Sequence, residues 1–172
     1  MQRALKTPRW AIALAAVLLG SAACGAGTGT EPAPAPRLPA PAAQSYDLGR
    51  DEGLGGHTLA RHVGRSDREL AERLRRDRHI AAASSYTDRA TAERVVSETL
   101  AGSKARVDAW LAREGPRPNL ALDYRGEAGR PVGRVLERGG DRSRSTSDAV
   151  VVLRWSGPGA FFVLTSYPEV SR

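Results

Sequence analysis

The spacing of apolar positions changes character three times along the chain. Trp10 to Gly20 is an unbroken apolar run, shorter than the roughly 20 residues that a membrane-spanning helix needs. Gly25 to Gln44 carries no apolar period at all. From Leu54 onward the period is helical: Leu59 and Val63, then Leu70 and Leu74, then Ala92, Val95, Val96 and Leu100, then Val107, Trp110 and Leu111. After Gly115-Pro116-Arg117-Pro118, which stops helix, the pattern shortens to that of strands. Four are predicted: Asn119 to Tyr124, Arg130 to Arg138, Asp148 to Trp155 and Ala160 to Tyr167.

Punctuation agrees with the periods. The first helix is expected over Leu54 to Val63 and ends at Gly64. Ser66-Asp67-Arg68-Glu69 has capping-box spacing and opens the second; Thr87-Asp88 caps the third; Gly102-Ser103 separates it from the fourth. Gly139 to Ser145 reads as a loop, and Gly157-Pro158-Gly159 as the turn of a terminal hairpin. N-terminal helices followed by a mostly antiparallel sheet is the α+β class.

The residues ahead of this pattern have a different purpose. Arg3, Lys6 and Arg9 precede the apolar run, and Ser21-Ala22-Ala23 follow it, so residues 1–23 read as a signal peptide. Cys24, the only cysteine, stands where a bacterial lipobox places its lipidated residue, and it rules out an intramolecular disulfide. Ser21 occupies the position at which a lipobox usually has leucine, so freely secreted and lipid-anchored forms both stay open. Residues 24–44, with their Pro-Ala alternation, suit an extended spacer that cannot build a core. Residues 45–172 are then one domain of ordinary size, exported and held outside the cytoplasm.

Charge changes the picture little. The chain has 26 basic and 19 acidic residues, and losing the three leader basics lowers the net charge from +7 to +4. Such a domain tolerates a polyanionic partner without requiring one.

Candidate chemistry is sparse. The three histidines are His57, His62 and His79. His57 and His62 would lie about 140° apart on one helix, and no His-Glu-x-x-His or cysteine pair accompanies them, so no metal site is expected. His62 can titrate near neutrality and exchange a proton, or it can simply fill space beside Leu59 and Val63. Arg73 follows eleven residues later, across a helix break. In the last strand Thr165 and Tyr167 share a face by alternation, together with Phe161 and Val163, and two adjacent hydroxyls could donate to a phosphate.

Several segments in fixed order resemble one family. They are Gly56-His57-Thr58-Leu59-Ala60-Arg61-His62-Val63-Gly64, Leu70-x-x-Arg73-Leu74, Ala83-Ser84-Ser85-Tyr86-Thr87-Asp88 with Ala92 and Glu93, Gly133-Arg134-Val135, and Leu164-Thr165-x-Tyr167-Pro168. Together they are similar to the bacterial RNase A-like domain found at the C-termini of CdiA contact-dependent inhibition proteins and other polymorphic toxins. The resemblance implies a kidney-shaped helix-and-sheet fold without disulfides, and metal-free, cofactor-free cleavage of RNA. It places the catalytic histidine on His62, the catalytic arginine on Arg73, a hydroxyl pair on Thr165 and Tyr167, and a supporting role on His57. It also implies RNA as substrate, with DNA spared for want of a 2′-OH, and a cognate immunity protein; the membrane would be reached through lipid on Cys24. The family's usual setting is the tail of a very large effector, whereas this domain follows a short leader and spacer. A competing reading is a non-catalytic envelope lipoprotein that binds an anionic polymer or protein through basic loops such as Arg138 to Arg144. An ADP-ribosyltransferase, suggested by Ser145-Thr146-Ser147, lacks the Glu-x-Glu that should follow.

Overall fold

In a computed structural model, residues 46–170 are described, so the leader, the spacer and Cys24 lie outside the described residues. Eleven elements follow in order. They are α1 (Leu48–Gly53), α2 (Thr58–His62), α3 (Asp67–Arg76), β1 (Ala82–Tyr86), α4 (Arg89–Gly102), α5 (Lys104–Leu111), β2 (Leu120–Tyr124), β3 (Gly133–Glu137), β4 (Arg144–Thr146), β5 (Ala149–Gly157) and β6 (Ala160–Pro168). The α+β expectation is met.

The capping residues act as the sequence suggests. Ser66 and Glu69 form the capping box of α3, with Ser66 N donating to Glu69 Oε2 at 2.8 Å. Asp88 accepts from Thr91 N at 2.7 Å at the head of α4. Asp47, unread in the sequence, caps α1 through Gly49 N and Arg50 N. Capping satisfies donors that the first turn leaves open.

The helix expected over Leu54 to Val63 is shortened to α2, Thr58–His62, and a glycine turn over residues 54–57 joins it to α1. Gly55 has φ +99°, and a Cβ on Gly56 would sit 2.7 Å from the Val163 carbonyl oxygen and 2.8 Å from that of Asp51. His57 therefore lies at the N-cap of α2, outside the helix that carries His62. The four predicted strands are present as β2, β3, β5 and β6, and Gly157-Pro158-Gly159 turns the last hairpin. Two strands escaped the sequence. β4 crosses the end of the expected loop, and β1 stands between α3 and α4.

The strands form two antiparallel sheets of three, ordered β1-β3-β4 and β2-β5-β6. Tyr86 of β1 and Ser166 of β6 link them through their hydroxyls at 2.5 Å. The main core lies under α4, whose Ala92, Val95 and Val96 meet Leu122, Val151, Leu153 and Val163. A second cluster, Leu70, Leu74, Ala83 and Leu136, seats α3 on the first sheet. Removing each of these leucine and valine side chains from water stabilises by about 1.5–3 kcal/mol. Among the described residues, no helix is long and apolar enough to cross a membrane.

One irregularity in β6 matters for everything that follows. Val152 pairs with Thr165 while Leu153 pairs with Val163, so Leu164 is an extra residue in a β-bulge. Directly paired residues share a face. Thr165 and Tyr167 thus stand with Val152 and Val150, whereas Val163 and Phe161 stand with Leu153 and Trp155 on the other side. Simple alternation had placed all four together; the bulge corrects that, and separates the hydroxyl pair from the core.

Candidate active site

The α1–α2 segment is stitched along the outer edge of β6. Asp51 is 1% exposed, and its carboxylate accepts from Val163 N at 2.6 Å and from the Tyr46 hydroxyl at 2.6 Å. His57 N donates to the Leu164 carbonyl at 3.0 Å, at the bulge itself. Thr58 Oγ1 accepts from Ser166 N at 2.8 Å. These contacts fix the start of α2 against the strand that carries Thr165 and Tyr167. The exit of α2 is fixed against β1: Gly64 N donates to the Tyr86 carbonyl, and Arg65 N donates to Ser85 Oγ. His62, between the two anchors, is 6% exposed.

The hydrogen bonds of His62 define its tautomer. Nδ1 lies 3.2 Å from the Ser84 carbonyl, which can only accept, so Nδ1 carries the proton. Nε2 lies 3.5 Å from Arg73 Nη1, a group that can only donate, so Nε2 offers its lone pair there. Burial, followed by the charge of Arg73, pushes the imidazole down to about 3, outweighing the Ser84 contact. His62 is therefore neutral at pH 7, with a basic nitrogen facing the site.

Arg73 comes from α3 and is half-buried. It also donates to the Arg61 carbonyl at 3.4 Å. Burial and the nearby Arg61 guanidinium lower its proton affinity, but an arginine stays charged. The Tyr167 ring lies 5.5 Å from the His62 ring at a 35° tilt, and burial raises its phenol above the ordinary value. Thr165 Oγ1 is buried with no hydrogen-bond partner among the described residues, a rare condition for a hydroxyl. His57 is half-buried and held below its usual range by burial and by Arg61. It is electrostatically coupled to both His62 and Arg73.

The five residues singled out in the sequence thus converge. His62 lies against both Arg73 and the Tyr167 ring, Thr165 shares the face of Tyr167, and His57 is electrostatically near His62 and Arg73. His79 is exposed in the turn after α3 and takes no part. Cys24 lies outside the described residues. Among the described residues, no group of three or more His, Cys, Asp or Glu could hold a metal ion. Sequence reasoning missed the Ser84 carbonyl that orients His62. A backbone acceptor has no signature in side-chain identity, and the strand supplying it was itself unread.

The bacterial CdiA-CT RNAse A domain matches residues 56–168. The chain belongs to this family. CdiA-CT RNase A domains are ribonuclease toxins, so the fold, the enzymatic class and the convergence of His62 with Arg73 point the same way. A chain of a solved CdiA-CT/CdiI complex from Y. kristensenii 33638 aligns with a TM-score of 0.60 at 32% identity, covering 67% of this chain and 100% of that one. A search of curated proteins finds no match.

Proposed function

We propose that this CdiA-CT domain cleaves RNA without metal or cofactor, by attack of the ribose 2′-OH on the adjacent phosphodiester. His62 Nε2 takes the 2′-OH proton; the 2′-oxygen bonds to phosphorus; the bond to the 5′-oxygen breaks, and that oxygen takes up a proton. The products are a 2′,3′-cyclic phosphate and a free 5′-hydroxyl. Arg73 faces the charge that builds on the phosphoryl oxygens. Thr165 and Tyr167 hydrogen-bond the scissile group, and His57 supports them.

The observation that carries this reading is the tautomer of His62, held by Ser84 so that the unprotonated Nε2 points at Arg73. A base near 3 is weak for the task when the site is empty. Burial is the first cause of that depression and the Arg73 charge the second, and a bound phosphodiester anion offsets the second. Substrate itself then raises the imidazole toward the range in which it can accept a proton.

Export through the signal peptide and lipidation at Cys24 belong to the same proposal, as does a cognate inhibitor. The related toxin was solved with its CdiI partner, and a producer of this domain needs the same protection. DNA, lacking the nucleophile, is spared.

The test is incubation of residues 45–172 with total RNA in excess EDTA, beside His62→Ala of matched thermal stability. Cleavage by the parent alone, with loss of about 10² to 10⁴ in the mutant, is the expected result. Cleavage by neither would favour the non-catalytic envelope-binding alternative.

A further inference from the structure

Beside Arg73 an open groove of about 460 Å³ runs between α2 and α3. Its walls include Arg61, Arg65, Arg73 and Arg76. Arg65 is paired with Glu69, and the other three guanidiniums repel one another: Arg61 and Arg76 both depress Arg73, and Arg61 does so more strongly than Asp77 supports it. The acids present are largely committed elsewhere. Glu69 holds Ser66 and Arg65, Glu72 pairs with Arg68 at 4.0 Å, and Asp77 Oδ1 accepts from His79 N. No ion pair or side-chain hydrogen bond reaches the Arg61 or Arg76 guanidinium among the described residues. A folded domain that gathers unpaired like charges beside a half-buried one stores repulsion that an anion would relieve. The volume falls within the roughly 300–1,000 Å³ of ordinary ligand sites, enough for a nucleotide.

We propose that this groove is a second phosphate subsite, in which Arg61 and Arg76 hold the backbone phosphate next to the one cleaved beside Arg73. The inference rests on the ribonuclease reading and extends it: the enzyme acts on single-stranded RNA longer than one linkage, and draws binding energy from a neighbouring phosphate. Backbone recognition of this kind is indifferent to base identity.

The test compares kcat/KM of the purified full chain on a dinucleoside monophosphate and on a tetranucleotide. Arg61→Gln and Arg76→Gln, singly and together, are set beside the parent. The parent should favour the tetranucleotide by about tenfold or more, and the double substitution should reduce that ratio to within about twofold. The ratio cancels any effect of Arg61 on His62, since both substrates use that residue. Arg76→Lys, which keeps the charge, should retain most of the advantage and guards against misfolding. In parallel, binding of an uncleavable 2′-O-methyl tetranucleotide should show a salt slope that falls by about 0.7 for each guanidinium removed.

A parent that cuts both substrates equally per linkage, or an advantage that survives the double substitution, overturns the subsite while leaving the ribonuclease reading intact. The groove would then serve an anionic protein surface instead. A parent that cuts neither substrate, yet binds the 2′-O-methyl tetranucleotide with a slope that Arg61→Gln and Arg76→Gln reduce, overturns the ribonuclease reading and keeps the subsite.

Discussion

His62 and Arg73 meet nitrogen to nitrogen at 3.5 Å, although they belong to different helices and are eleven residues apart. The approach is electrostatically unfavourable to a protonated imidazole, and this gives the pair a readable signature. Replacing Arg73 with Ala should raise the pKa of His62 in an NMR titration, because the second largest cause of its depression disappears. The same substitution should lower kcat/KM by roughly 10² to 10³, the scale for losing one group that stabilises transition-state charge. A fall in activity with no movement of the His62 titration would mean that the two residues act separately.

Stability should depend on pH through the same imidazole. His62 is depressed to about 3 in the folded chain, against an unfolded value near 6.5. Between those limits the unfolded chain binds a proton that the folded chain does not. The stabilisation is complete above about pH 6.5 and declines by about 1.4 kcal/mol per unit as pH falls toward 3. Urea unfolding from pH 7 to pH 4 should show this slope, and His62→Gln should flatten it.

Thr165 should separate stability from activity. Its buried hydroxyl has no partner among the described residues, and such a group costs about 1–3 kcal/mol. Thr165→Val keeps the shape and removes the cost, so the melting temperature should rise. If the hydroxyl serves a bound phosphate, cleavage should fall by about a hundredfold in the same variant. Unchanged cleavage would make Thr165 a packing residue only.

Asp51 should behave as a remote determinant of the site. Asp51→Ala leaves the Val163 amide and the Tyr46 hydroxyl without their acceptor. A loss of roughly 3 kcal/mol in denaturant unfolding is expected. The remaining folded fraction should also cleave RNA less well, because His57 and Thr165 lie next to the strand residues that Asp51 holds. Normal activity per folded molecule would show that the histidine segment is positioned from α3 and β1 alone.

How much of this could be read from the chain depended on where each signal resides. The helices from α3 to α5 announced themselves, because Ser66, Asp88 and the Leu70/Leu74 and Val95/Val96 stripes speak through local chemistry. β1 did not. Its last four residues are buried, against α3 on one side and β6 on the other, so Ala83-Ser84-Ser85-Tyr86 shows no alternation. β4 is three residues of arginine, serine and threonine, defined only by pairing with β3. The residues of the candidate site were named through resemblance, since His62 alone looks like any half-apolar helix residue. What joins them could not be named. The bulge at Leu164 is a matter of register, and the Ser84 carbonyl is a matter of backbone placement.

The stitching of α1 and α2 onto β6 has a second consequence. β6 ends its sheet, and an uncovered terminal strand invites pairing with another chain. The amides of Val163 and Ser166 and the carbonyl of Leu164 are instead occupied by Asp51, Thr58 and His57. The bonds that set the histidine segment in place are also those that close the sheet to self-association. Changes that loosen this segment should therefore be visible as aggregation as well as lost turnover, and variants selected for solubility would tend to keep the segment as it is.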